Sequence, residues 1–151
     1  MKRSAGFTLI ELVIVIIILG ILAVTAAPKF LNLQGDARES TLKGMKAAME
    51  SSASIVYSKA VIKGLEDEPT GSVSTGVSGA TVTIANGYPT ADAAGIGATL
   101  DFNDADWDVP SAASKTYILT PKGAPDTCTV TYKEAVSGAR PEITTADASK
   151  C

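Results

Sequence analysis

Glu11 is the one charged residue between Phe7 and Ala27, in the stretch FTLIELVIVIIILGILAVTAA. A carboxylate in such a run either snorkels to a polar boundary or takes a cationic partner. No Lys or Arg follows until Lys29, and the chain has no His at all. A cation for Glu11 must therefore come from another molecule. If the chain were cut between Gly6 and Phe7, a new α-amine would appear four residues before Glu11. That amine on one subunit could pair with Glu11 on the next, making Glu11 a register device for assembly.

The other chemistry-bearing residues are sparse. Asp104, Asp106 and Asp108, in DFNDADWD, have the 1, 3, 5 spacing of a calcium loop. Position six is Val109 rather than Gly and position twelve is Lys115 rather than Glu, so a solvated loop anchored by Trp107 is the better reading, and no metal or other cofactor is expected. Gly76 and Gly79 precede no Lys-Ser/Thr pair and form no phosphate loop. Ser and Thr are numerous, but without His no base is at hand to activate one, and no enzymatic constellation emerges. Cys128 and Cys151 are the only cysteines. An even pair in an exported chain reads as a disulfide. Closing about 23 residues, it stabilises by about 3 kcal/mol. The tail from Thr144 to Cys151 has no apolar pattern, so the bridge is expected to hold it. A net charge of −3 carries no basic footprint for nucleic acid.

The elements that position these residues begin with the apolar run. As a helix, Phe7 to Ala27 is about 31 Å long, which matches a hydrocarbon core of roughly 30 Å. Lys2 and Arg3 hold the leader, residues 1–6, in the cytoplasm and send the remainder outside. A cleaved secretory signal ending at Thr25-Ala26-Ala27 competes, but the run exceeds the usual 7–15 apolar residues and contains Glu11. Gly20 and Pro28 punctuate the helix, and a bend is expected there. Beyond them Leu42, Met45, Met49, Ser52 or Ala53, Val56 and Ala60 recur at spacings of three and four, one apolar face of a helix reaching Lys63-Gly64. The expectation is one bent helix of roughly 85 Å. Residues 7–28 need lipid or other helices, and residues 29–151 form an amphipathic half-helix with a globular head.

In the head, Leu65–Gly79 reads as a surface loop, Thr81–Ala85 as a strand, Asn86-Gly87 as a turn and Thr90–Leu100 as a short helix. Lys115–Thr120, Cys128–Lys133 and Glu142–Thr145 read as strands. Alternation places Cys128, Val130 and Tyr132 on one face. The fold class is α+β, a long N-terminal helix packed on a small antiparallel sheet.

The leader, Gly6, Phe7, Glu11 and the long apolar run together resemble the prepilin signature of type IV pilins and type II secretion pseudopilins. The likeness extends through ILAVTAAPKFLNLQGDAR and the late Cys pair, and in detail the chain looks most like the mannose-sensitive haemagglutinin type of major pilin. The resemblance implies the type IV pilin fold, cleavage between Gly6 and Phe7 by a prepilin peptidase, and N-methylation of Phe7. It also implies a Glu11 that pairs with a neighbour's terminal amine in a helical homo-oligomeric filament. A single-pass precursor in inner-membrane lipid would pass through pilus assembly machinery to an extracellular fimbrium that attaches to an unknown surface receptor. A type II secretion pseudopilin or minor pilin is the alternative. A membrane-anchored periplasmic binding module is a third reading, and it leaves the position of Glu11 unexplained.

Overall fold

The computed structural model describes residues 6–75, 80–109 and 114–151. Helix α1 spans Leu9–Ile62 and continues through Gly20 and Pro28, so no second helix starts after Ala27. Its last turn closes as the Lys63-Gly64 signal requires. The Gly64 amide bonds the Val61 carbonyl at 3.0 Å and the Leu65 amide bonds Ala60 at 2.9 Å. Gly64 lies at φ 67°, the left-handed position where glycine has no side-chain penalty.

The chain divides into two compact units, one ending at Gln34 and one covering Gly35–Cys151. The first is the N-terminal part of α1, whose large apolar side chains from Phe7 to Val24 are exposed. In the second, Leu42, Met49, Ala53, Val56 and Ala60 of α1 are buried. This is the face anticipated from the spacing of three and four.

The head holds two antiparallel sheets rather than one. Strands β1 (Gly71–Ser74), β2 (Thr81–Ala85) and β3 (Tyr88–Pro89) form a three-stranded meander. Strands β4 (Trp107–Asp108), β5 (Thr116–Pro121), β6 (Val130–Lys133) and β7 (Glu142–Thr145) form a four-stranded one. Each sheet has its own core against α1. Leu42, Met49 and Ala53 pack with Trp107, Leu119, Val130, Tyr132 and Ile143, whereas Val56 and Ala60 pack with Val73, Val82 and Ile84. Cys128, Val130 and Tyr132 are all fully buried, as their alternation implied.

Three local expectations need correction. Leu65–Gly79 is not all loop, because Val73 alternates inward between Ser72 and Ser74 and β1 pairs with β2 from Gly71↔Ile84 to Ser74↔Thr81. Residues 76–79, with Gly76 and Gly79, lie outside the described residues. Thr90–Leu100 is no α-helix but a series of turns ending in a 3-10 turn over Gly97–Thr99. The Gly95 amide donates to the Asp92 carboxylate at 2.6 Å, a side-chain bond that competes with helix. Strand β5 starts one residue late, since Lys115 sits at φ 66°. Asn86 and Gly87, at φ 51° and 79°, make the two-residue turn expected between β2 and β3.

Candidate functional site

The first turn of α1 is built around Thr8 and Glu11. Glu11 Oε2 accepts hydrogen bonds from the Thr8 amide and the Thr8 hydroxyl, both at 2.8 Å, and the Glu11 amide donates to Thr8 Oγ1 at 3.3 Å. This is a reciprocal capping box, which satisfies backbone donors that a helix start leaves unpaired. Among the described residues Glu11 Oε1 has no partner, so one carboxylate oxygen fixes the helix start and the other stays available to a cation. Gly6 and Phe7 precede the helix, and Phe7 is 88% exposed. Leader residues 1–5 lie outside the described residues.

From Leu9 to Ala26 mean hydropathy is 3.0 and none of the stretch is buried, so one helix is long and apolar enough to cross a membrane. Such a surface needs lipid or other helices. A Cβ at Gly20 would meet nothing within 4 Å.

This terminus also matches known proteins. A family model described as the prokaryotic N-terminal methylation motif matches residues 1–27. The type IV narrow pilus major component PilA5 of Thermus thermophilus is 45% identical over 53 residues, 35% of this chain and 46% of that protein. The type IV major pilin protein PilA of Myxococcus xanthus is 40% identical over 57 residues, 38% of this chain and 26% of that one. By this terminus the chain resembles type IV pilins. The chain spans less than half the length of these two relatives in its matches. No solved structure matches it.

The α+β arrangement of a long N-terminal helix with small antiparallel sheets agrees with the pilin fold. Cys128 and Cys151 are joined in a disulfide 23 residues apart in sequence. The bridge does not hold the tail alone, contrary to the sequence expectation. Residues 142–145 form β7, and the tail then docks on α1. Arg38 donates from Nη1 to the Cys151 carbonyl and from Nη2 to the Gly123 carbonyl, both at 2.8 Å. Thr127 Oγ1 donates to the Lys150 carbonyl at 2.7 Å. Gly35 is buried, and a Cβ there would lie 2.6 Å from the Ala148 carbonyl oxygen. The Asp147 carboxylate caps the final 3-10 turn, and the Ser149 hydroxyl holds it below the usual carboxylate range.

The acidic segment Asp101–Asp108 is not all loop, because Trp107 and Asp108 form β4 and pair with Pro121 and Thr120 of β5. Trp107 is buried, and Asp108 pairs with Lys122 at 3.0 Å. Among the described residues no three His, Cys, Asp or Glu side chains converge on a metal-sized site. Burial raises the Tyr132 phenol well above its ordinary value, with Glu134 and Tyr88 adding to it, and its hydroxyl donates to the Pro89 carbonyl at 2.7 Å.

Three site residues escaped the sequence reading, for different reasons. Thr8 had a readable signal, the Thr-x-x-Glu capping box ahead of an apolar run. Gly35 and Arg38 had none, because their partners lie more than 80 residues away in sequence.

Proposed function

We propose that this protein is a type IV pilin, the structural subunit of a pilus filament. The observation that carries the reading is Glu11, a single carboxylate capped into the first turn of an exposed apolar helix, with one oxygen free for a cation. Its relatives, named as major pilus components, support a pilus over a secretion pseudopilin.

In this reading the precursor rests in inner-membrane lipid by its apolar helix. A prepilin peptidase cuts between Gly6 and Phe7, and Phe7 is N-methylated. Its amine then meets Glu11 of the adjacent subunit. The capping box lies wholly within Thr8–Glu11, so it survives the cut and keeps Glu11 in place. Outside lipid, the helices bury their apolar faces against one another, about 1.5–3 kcal/mol for each large side chain. Extraction from the bilayer costs a comparable amount, so assembly machinery must drive it. One surface joining a different surface on the next copy does not close, and a helical filament results. Gly20 and Pro28 let the helix bend or loosen within it. The filament carries its heads outward and serves surface attachment, through a receptor whose chemistry lies outside the N-terminal site.

The test is Glu11→Ala beside Glu11→Gln. Both variants should insert in the membrane and lose filament assembly by at least tenfold in the sheared surface fraction. Normal filament yield from both would remove Glu11 from assembly.

A further inference from the structure

The Cys128–Cys151 bridge joins two segments that the chain also brings together without sulfur. Cys128 closes one turn, its amide donating to the Pro125 carbonyl at 2.8 Å, and Cys151 closes another, its amide donating to the Ala148 carbonyl at 3.2 Å. The residues just before the two cysteines bond each other, Thr127 Oγ1 donating to the Lys150 carbonyl at 2.7 Å. Arg38 adds a second link from outside both turns. Its Nη1 donates to the Cys151 carbonyl and its Nη2 to the Gly123 carbonyl, each at 2.8 Å. One planar guanidinium on α1 therefore spans the tail and the loop that leads to Cys128. Bonds from a charged donor are among the stronger ones. None of these bonds uses a sulfur atom, so they can hold the dithiol as well as the disulfide.

The two cysteines differ in access. Cys128 is fully buried in the core of the four-stranded sheet, whereas Cys151 is half-buried and packs at the margin of that core. Thiol–disulfide exchange needs a thiolate that can reach the sulfur it attacks. With the tail docked, an external disulfide can reach Cys151 and not Cys128. The docking that hides Cys128 also keeps it beside Cys151, and a held geometry acts as a high effective concentration for the second, intramolecular step.

We propose that Arg38 is a positioning residue for closure of this bridge, in which Cys151 meets an external disulfide and Cys128 resolves the intermediate. In the first step the Cys151 thiol gives its proton to solvent and the thiolate attacks one sulfur of the carrier disulfide. The carrier S–S bond breaks, and its other sulfur leaves as a thiolate. In the second step the Cys128 thiol gives up its proton and attacks the Cys151 sulfur, and the remaining carrier sulfur leaves. Two electrons and two protons pass from the cysteine pair to the carrier, which ends as thiols. The proposal is independent of filament formation, since every residue named lies in the Gly35–Cys151 unit.

The experiment uses the full chain in detergent micelles, with oxidised and reduced glutathione as the external couple. The bridged fraction at equilibrium is read by mass after alkylation, for the wild type, Arg38→Ala and Arg38→Met. Arg38→Met keeps the apolar stem and loses the donors, so it carries the test if Arg38→Ala fails to fold. The equilibrium constant for bridging should fall about tenfold or more in both variants, as lost charge-assisted bonds predict. Tyr132→Phe, which weakens the head elsewhere, should leave that constant unchanged. Access is read with dithiobisnitrobenzoate. Cys151 in Cys128→Ala should react about tenfold or more faster than Cys128 in Cys151→Ser. Adding Arg38→Ala to Cys151→Ser should then unmask Cys128. A bridging constant that stays unchanged in the Arg38 variants would overturn the proposal, as would an equal fall in Tyr132→Phe. So would a Cys128 thiol that reacts as fast as Cys151 while Arg38 is in place.

Discussion

Gly35 on the helix and Ala148 near the chain's end stand so close that a Cβ at residue 35 would lie 2.6 Å from the Ala148 carbonyl oxygen. Real Cβ atoms essentially never come so near, so any side chain at 35 must push the tail off α1. This contact sits at the first residue of the head unit, where the C-terminus is seated on the helix.

Gly35→Ala should therefore destabilise the head by about 1–3 kcal/mol, the usual cost of overpacking. Part of it is relieved because the 3-10 turn over Ala148–Lys150 can shift. Denaturant unfolding of the detergent-solubilised chain measures the difference. An equal or higher midpoint would show that the close approach carries no constraint.

The tail is held twice, by the disulfide and by Arg38. Cys151→Ser should cost about 3 kcal/mol from lost loop closure, yet Arg38 should keep the tail docked at low denaturant. In Cys151→Ser, a further Arg38→Ala should free the tail. Proteolysis at Lys150, followed by mass, distinguishes the two states. Rapid cleavage in Cys151→Ser alone would show that the Arg38 bonds do not suffice.

Tyr132 is fully buried and gives its hydroxyl proton to the Pro89 carbonyl. Tyr132→Phe leaves that carbonyl without this donor and should cost about 1–3 kcal/mol. The phenol also sets a pH limit. Its folded pKa is raised above the unfolded value, so its contribution is complete below about pH 10. It is lost as pH rises through the raised folded value. Tyr117, raised by burial and by Asp104 and Asp92, acts in the same direction. Stability measured from pH 8 to 12 should fall above pH 10, and more gently in Tyr132→Phe. A flat profile in the wild type would contradict this.

Thr8 holds Glu11 through its hydroxyl and amide. Thr8→Val keeps the amide bond and the shape but loses the hydroxyl, so it should lower filament yield less than Glu11→Ala does. Thr8→Ser should restore it. Quantifying the sheared protein from the three strains tests the order. Thr8→Val as defective as Glu11→Ala would mean that the hydroxyl serves assembly directly.

Where the chemistry is local, the sequence is legible. The Lys63-Gly64 stop, the Asn86-Gly87 turn and the shared face of Cys128, Val130 and Tyr132 are written in neighbouring residues, and each is found in place. The helix face from Leu42 to Ala60 is read from spacing alone. Strand β1 is hidden because Gly71–Ser74 has one apolar residue and gains its order from β2. The division into two sheets is hidden for a related reason, since which strands pair depends on how α1 shares its buried face between them. The clamp at Gly35 and Arg38 joins residues far apart in sequence. No periodicity reports such meetings.

The most direct test of a processed filament subunit is the intact mass of protein sheared from the cell surface, before and after reduction. The predicted result is a chain starting at Phe7, one methyl heavier than its sequence and two hydrogens lighter until reduced. A chain that keeps Met1 and stays in the membrane, or one that starts at Pro28, would contradict both the cleavage at Gly6 and the assembly role of Glu11.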